Sequence, residues 1–182
     1  MFGKISSPYL SDHQVSATYP SFDVMKVEIE NVARSLLRLL VIKDTANPGP
    51  GWDRGVIVRC GAKGCCIVRK RYLPSSNGDH SSEEGAKWIE AYWTASASSD
   101  FRNHIVDVTG GGNAFLGGLA AGMKLTDGDL FESALYGTVS ASYAIEQDGL
   151  PRIQSGSDGV ELWNGDLPLS RLNNLRSRVA SH

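Results

Sequence analysis

The chain has 182 residues, 41% of them hydrophobic, and its 18 Lys+Arg against 20 Asp+Glu leave a net charge of -2. That length suits about one domain, the apolar content suffices to bury a core, and the near-neutral balance excludes the bulk attraction on which a nucleic-acid or anionic-membrane binder relies. No stretch approaches the ~20 consecutive apolar residues of a membrane span, and Met1–Leu10 lacks the charged and apolar regions of a secretory signal, so an intracellular, cytoplasmic chain is expected.

In chain order, residues 1–20 read as an irregular segment containing Ser6-Ser7-Pro8. Ser21 stands as a cap before a helical period of Met25, Ile29, Val32, Leu36, Leu39 and Leu40. Asn47-Pro48-Gly49-Pro50-Gly51 ends that pattern. Gly55-Val56-Ile57-Val58 is then a continuous, mostly β-branched apolar run, as expected of a central parallel strand covered on both faces. Gly61-Ala62-Lys63-Gly64 reads as a tight turn, with Cys65-Cys66-Ile67-Val68 returning as the second strand of a hairpin. The polar run Ser75–Ser82 predicts a mobile surface loop. Lys87–Trp93 and Ile105–Thr109 read as further strands, the latter running into Gly110-Gly111-Gly112-Asn113.

From Asn113 to Lys124 an apolar stripe of Phe115, Leu116, Leu119 and Met123 is flanked by Gly117, Gly118, Ala121 and Gly122. Glycine in a helix costs roughly 1 kcal/mol relative to alanine, so this run predicts close backbone packing. Thr126 followed by Asp129 resembles a capping box for a helix with Phe131, Ala134, Leu135, Thr138, Ser142 and Ile145 on one face, closed by Gly149 and Pro151. A short helix is expected over Leu167–Val179. Alternating strand and helix signals argue an α/β architecture with a mostly parallel sheet and flanking helices.

Cys60, Cys65 and Cys66 are an odd, clustered set with no C-x-x-C pair, which suits neither a disulfide framework nor a zinc site. Cys65 and Cys66 read as small apolar strand residues, with a vicinal bond the alternative.

The chemistry-bearing run is Asp107-Val108-Thr109-Gly110-Gly111-Gly112-Asn113-Ala114-Phe115. A glycine turn opening a helix presents unpaired backbone N–H groups at the positive end of the helix dipole, and glycine lets a phosphate approach without a Cβ in its way. No Lys-Ser or Lys-Thr follows, and G-x-G-x-x-G is not matched, so ordinary P-loop and dinucleotide sites lose support. The same glycines would also serve a turn that merely packs a helix on a sheet.

Val106–Gly118 resembles the second signature of the ribokinase-like, or PfkB, carbohydrate kinases, written D-T-x-G-A-G-D-x-F. Gly55–Gly64 resembles that family's nucleotide-side strand and turn, and Ala141–Pro151 the helix and loop closing its adenosine pocket. The resemblance runs from Ser7 to Arg152 and corresponds to about the C-terminal half of the family fold, giving a ribokinase-like domain truncated at its N-terminal side. Within it, 21–153 is the nucleotide-binding part and 154–182 a C-terminal loop and short helix. The GGGN variant is most similar to a fungal branch named for maintenance of killer.

The resemblance implies ATP with Mg2+ as cofactors and a sugar-like hydroxyl as acceptor. Gly110, Gly111 and Gly112 would form the anion hole for the transferring phosphoryl group. Gly61, Ala62, Lys63, Gly64 and Gly149 would line the nucleotide. Asp107 and Thr109 match positions that help hold a monovalent cation, although Asp107 could equally cap its turn. Two departures stand out. The family's closing Asp, its general base, is Asn113 here, and an amide has no proton affinity near neutral pH. Arg59 stands where a threonine is common beside the nucleotide.

A catalytically silent, kinase-like binding or scaffold module is therefore the rival expectation, with self-association or a partner covering the absent half. A truncated product without a stable fold is a third. His104 is close enough in sequence to tempt a replacement-base role, while His13, His80 and His182 read as surface residues. Trp88, Tyr92 and Trp93 read as core packing, with a base-stacking platform the alternative that lacks flanking basic residues, and Arg69-Lys70-Arg71 reads as a solvated strand end.

Overall fold

A computed structural model of the chain describes residues 21–43, 54–73, 80–83, 85–156 and 159–181. The expectations for Ser6–Pro8, Asn47–Gly51, 75–79, His13, His182 and the side chains of Arg71 and His80 lie outside what is described.

Helix α1 (Phe22–Lys43) begins after Ser21, whose carbonyl accepts the Met25 N–H at 3.1 Å. Its buried face is not the expected stripe. Ala33 and Leu37 are sealed against Cys66 and Val68 with Ile29 beside them, while Val32, Leu36, Leu39 and Leu40 stay 45–60% exposed. Residues 29, 33 and 37 lie in line one turn apart, and the small Ala33 permits close approach to the strands.

Strands β1 (Arg54–Arg59) and β2 (Cys65–Leu73) form the expected hairpin, with Val56 opposite Val68 and Arg59 opposite Cys65. The connecting turn is a short 3-10 helix, Gly61–Lys63, closed by the Cys60 N–H donating to the Gly64 carbonyl at 2.7 Å. Gly64 has φ +83°, and any Cβ there would run into the Ile89 carbonyl, so this turn needs glycine on both counts. On the other side of β2 lie β3 (His80–Glu83) and β4 (Lys87–Ile89), each antiparallel to it.

The expectation of a mostly parallel, ribokinase-like sheet is therefore overturned. The described sheet is four-stranded and antiparallel throughout, and β1 is paired with β2 rather than set among parallel neighbours. Physically, a parallel pair needs a crossover of a dozen or more residues, whereas five residues, 60–64, join β1 to β2. Two further strand expectations change. Lys87–Trp93 is a strand only to Ile89, and His80–Glu83 pairs with β2 where a loop was expected.

Ile105–Thr109 is not a strand. The N–H groups of Val106 and Asp107 both donate to the Ile145 carbonyl, at 2.8 and 3.2 Å, so a helix end takes the donors that a strand ladder would have used. Val106 and Val108 are left 59% and 71% exposed.

Helices α2 (Gly111–Leu125) and α3 (Leu130–Ala144) pack on each other through glycine, as the small-residue flank predicts. A Cβ on Gly118 would lie 2.6 Å from the Tyr136 carbonyl, one on Gly122 2.7 Å from the Ser133 Cα, and one on Gly137 2.8 Å from the Phe115 carbonyl. Gly117 faces open space. The cap of α3 is Asp129 rather than Thr126: its carboxylate accepts the Glu132 N–H at 2.9 Å. Thr126 instead closes α2, its hydroxyl donating to the Gly122 carbonyl at 2.8 Å. A small hairpin of β5 (Ile153–Ser155) and β6 (Glu161–Trp163) leads to α4 (Pro168–Ala180), with proline in its first turn.

The result is a sheet with helices on both faces. Cys65, Ile67 and Ile89 join the core with Phe115, Leu135, Tyr143, Leu172 and Leu175, while Cys66 and Val68 face α1. Alternate residues of β2 thus enter opposite cores, which explains its unbroken apolar run.

Candidate functional site

The end of β1, the glycine turn that follows it and the start of α2 converge on one groove of about 1090 Å³. Val56–Arg59 and Gly61, Ala62, Lys63 and Gly64 form one side; Gly111, Gly112 and Phe115 of α2 with Thr138, Ala141, Ser142 and Ile145 of α3 form another. Glu90–Ser96, Phe101, Ile105 and Val108 make the third wall. The two glycine motifs, about 50 residues apart in sequence, therefore face a common space.

At the α2 end, Gly110 caps the helix in the left-handed conformation, φ +82°, with no side chain capping it. The Gly111 N–H is held by the Val108 carbonyl at 3.2 Å, and the Ala114 N–H makes the first helical bond to Gly110 at 2.9 Å. The N–H groups of Gly112 and Asn113 fall between them, where a helix offers no internal acceptor. Arg59 reaches across from β1 and donates to the Gly112 carbonyl at 2.5 Å, its guanidinium 6.0 Å from the centre of the Phe115 ring. A cation held at the positive end of a helix is electrostatically unfavourable alone and favourable once an anion sits beside both.

The remaining expected residues are dispersed around this groove. Gly110 and Asn113 are exposed and do not line it; Asn113 projects from the first turn of α2. Asp107 accepts the Thr109 N–H at 2.9 Å, and that bond holds its carboxyl below the usual carboxylate range, so Asp107 closes the turn into α2. Thr109 is exposed, and among the described residues no three His, Cys, Asp or Glu side chains gather in one place. Gly149, φ +84°, is exposed beyond α3 and off the groove. Lys63 lines it with its ammonium 4.8 Å from the Phe22 ring.

His104 is engaged with Trp93 and Asp100 and does not line the groove. Its ring stacks on Trp93, centroids 3.8 Å apart and 2° from parallel, with Asp100 at 3.6 Å from Nε2. Trp88 packs against the α1-side core as expected, edge-on to Phe22 and donating to Glu30 at 2.7 Å, and does not itself line the groove. Tyr92 packs against the core as expected and also forms part of the groove wall, where Trp93 joins it. Arg69, expected at a solvated strand end, is buried with Asp129 3.4 Å away.

Two residues without a sequence signal anchor that wall. Arg171 of α4, 7% exposed, donates to Glu146 at 2.5 Å, to Asp166 at 2.6 Å and to the Ser142 hydroxyl at 3.1 Å. Glu146 accepts the Trp93 indole N–H at 3.0 Å. Burial would favour losing the Arg171 proton, yet hydrogen bonds to Glu146 and Asp166 hold it firmly charged. The guanidinium lies 3.7 Å from the centre of the Tyr143 ring, whose hydroxyl is buried without a partner and whose pKa burial pushes well up. No spacing rule links positions 93, 146 and 171, which belong to three separate segments. Only folding brings them together.

The three thiols remain free. Burial pushes Cys65 up to about 12 and Cys66 up to about 11, so neither offers a nucleophile near neutral pH.

No described helix is long and apolar enough to cross a membrane. No family profile matches the chain, and no solved structure matches it. Two curated fungal proteins do. An uncharacterized protein of Schizosaccharomyces pombe is 33% identical over 132 residues, covering 72% of this chain and 34% of its own length. Protein MAK32 of Saccharomyces cerevisiae is 34% identical over 116 residues, covering 64% of this chain and 27% of its own. The chain thus spans about a third and about a quarter of these relatives, and its similarity to MAK32 is consistent with the fungal maintenance-of-killer-like branch that the glycine turn suggests.

Proposed function

We propose that the groove is a nucleotide site and that the chain is the nucleotide-binding part of an ATP-dependent phosphotransferase for a sugar-like hydroxyl. It is of PfkB type in its phosphate-binding chemistry, not in its sheet. The supporting observation is that the turn at Gly61–Gly64 and the uncapped N-terminus of α2 at Gly111–Gly112 line one groove. In this reading the Gly112 N–H meets a phosphate oxygen, Arg59 turns from the Gly112 carbonyl to the same anion, and Mg2+ enters with the ATP. Positioning and charge stabilisation of this kind carry most of the catalysis of a loose phosphoryl transfer.

Asn113 favours a second reading, a module that binds nucleotide without turning it over. An amide cannot take the acceptor proton, a role typically contributing 10²–10⁴-fold. The experiment is calorimetric titration of the purified chain with MgATP, followed by an assay of ATP consumption against a panel of sugars. Binding with sugar-dependent consumption supports transfer, binding alone supports the silent module, and no binding at millimolar MgATP by a folded chain overturns both.

A further inference from the structure

The groove wall formed by Tyr92 and Trp93 has no backbone ladder to hold it: β4 ends at Ile89, and residues 90–100 are bends and turns. What fixes Trp93 is side-chain chemistry from elsewhere. Its indole N–H is tied to Glu146 at 3.0 Å, just beyond the end of α3. Glu146, with a side chain only 11% exposed, is in turn held by two bonds from Arg171 of α4, at 2.5 and 3.3 Å. The Arg171 guanidinium also lies 5.4 Å from the Tyr92 ring centre and 5.2 Å from that of Trp93. His104 lies flat on one face of the indole, so a stacking ring has only the other face to meet. A buried, charge-assisted network serving a half-buried tryptophan is more than that tryptophan needs for packing alone, since an indole N–H at a wet surface is satisfied by water.

We infer that Glu146 and Arg171 are positioning residues which hold the Trp93 indole in the groove wall, with the Tyr92 ring edge-on to it, and that this wall receives the heterocyclic ring of the bound nucleotide. The inference rests on the nucleotide reading of the groove and adds to it a division of labour. The α2 terminus takes the phosphates, and α4, which does not line the groove, governs affinity for the base through Glu146 and Trp93.

The test separates base from phosphate by titrating the full chain with MgATP and, in parallel, with magnesium tripolyphosphate, which has no ring. Trp93→Ala and Arg171→Met are expected to weaken MgATP roughly tenfold, within the range that aromatic stacking supplies, and to leave tripolyphosphate affinity unchanged. Glu146→Gln keeps an oxygen for the indole N–H but turns its NH2 toward two donors, Arg171 Nη2 and Asn164 Nδ2, and is expected to weaken MgATP as Arg171→Met does, with tripolyphosphate unchanged. Near-ultraviolet circular dichroism of Arg171→Met should lose part of the tryptophan signal. If Arg171→Met does not fold, Trp93→Phe, which keeps an apolar ring but loses the tether, should still weaken MgATP several-fold with tripolyphosphate unaffected. Equal weakening of both ligands, or MgATP affinity unchanged in Trp93→Ala, overturns the inference while the nucleotide reading stands. A wild-type chain that binds neither ligand overturns that reading as well.

Discussion

Asp129 shows how much one side chain can hold. It caps α3 and faces Arg69, so although burial by itself would raise its pKa, the Glu132 N–H and the guanidinium bring it below the usual carboxylate range. A carboxylate favoured in the folded state stabilises the protein above its unfolded pKa of about 4, and that stability is lost as pH falls through the lower folded value. Asp129→Ala should cost about 1 kcal/mol at neutral pH, the usual worth of an N-cap. Melting temperatures of wild type and Asp129→Ala, followed from pH 7 down to pH 2, should converge below about pH 4. The thiols make a separate prediction. With Cys65 pushed up to about 12 and buried, a thiol-reactive dye should label at most Cys60 in the native chain and all three cysteines in denaturant.

At the scale of elements, the α2–α3 pair is the best-specified part of the molecule. Helix propensity favours replacing Gly122 by alanine by roughly 1 kcal/mol. The Cβ would however sit 2.7 Å from the Ser133 backbone, and overpacking of that kind costs about 1–3 kcal/mol. Gly122→Ala should therefore lower stability, whereas Gly117→Ala, which points into open space, should raise it; chemical denaturation of the two variants gives the comparison. This close packing was legible in the sequence because glycines repeated along a helix are costly unless a second backbone comes near enough to exclude a Cβ. The hairpin at Gly61–Gly64 was legible for a similar reason, since its turn residues sit between two apolar runs.

The sheet was not legible in the same way. An apolar run such as Val56–Val58 reports burial on both faces and is silent on direction, and the alternation at Ile105–Thr109 does not reveal that its donors end on the Ile145 carbonyl. The face of α1 was misread because that helix carries apolar residues on more than one side, and only contact with Cys66 and Val68 selects Ala33 and Leu37. The site divides along the same line. Contiguous glycines were visible, whereas the Trp93–Glu146–Arg171 network depends on three segments meeting in space.

For the whole molecule, the groove is where these parts serve one purpose, and the phosphate end allows a test that separates binding from folding. Gly112→Asp places a carboxylate at the start of α2, beside Arg59, where it favours the helix dipole by about 0.3–1 kcal/mol and repels phosphate. Its Cβ would meet the Arg59 guanidinium at 2.5 Å, so Arg59 must swing aside; the variant should stay folded, within about 1 kcal/mol of wild type, and bind MgATP at least tenfold more weakly. The most direct measurement of the central claim is thermal unfolding of the purified chain, followed by circular dichroism with and without MgATP. At a ligand concentration tenfold above Kd, binding to the folded state should raise the midpoint by roughly 3–6 °C for a chain of this size, and the rise should fall to about 2 °C or less in Gly112→Asp. A cooperative melt whose midpoint does not move at millimolar MgATP would contradict the account.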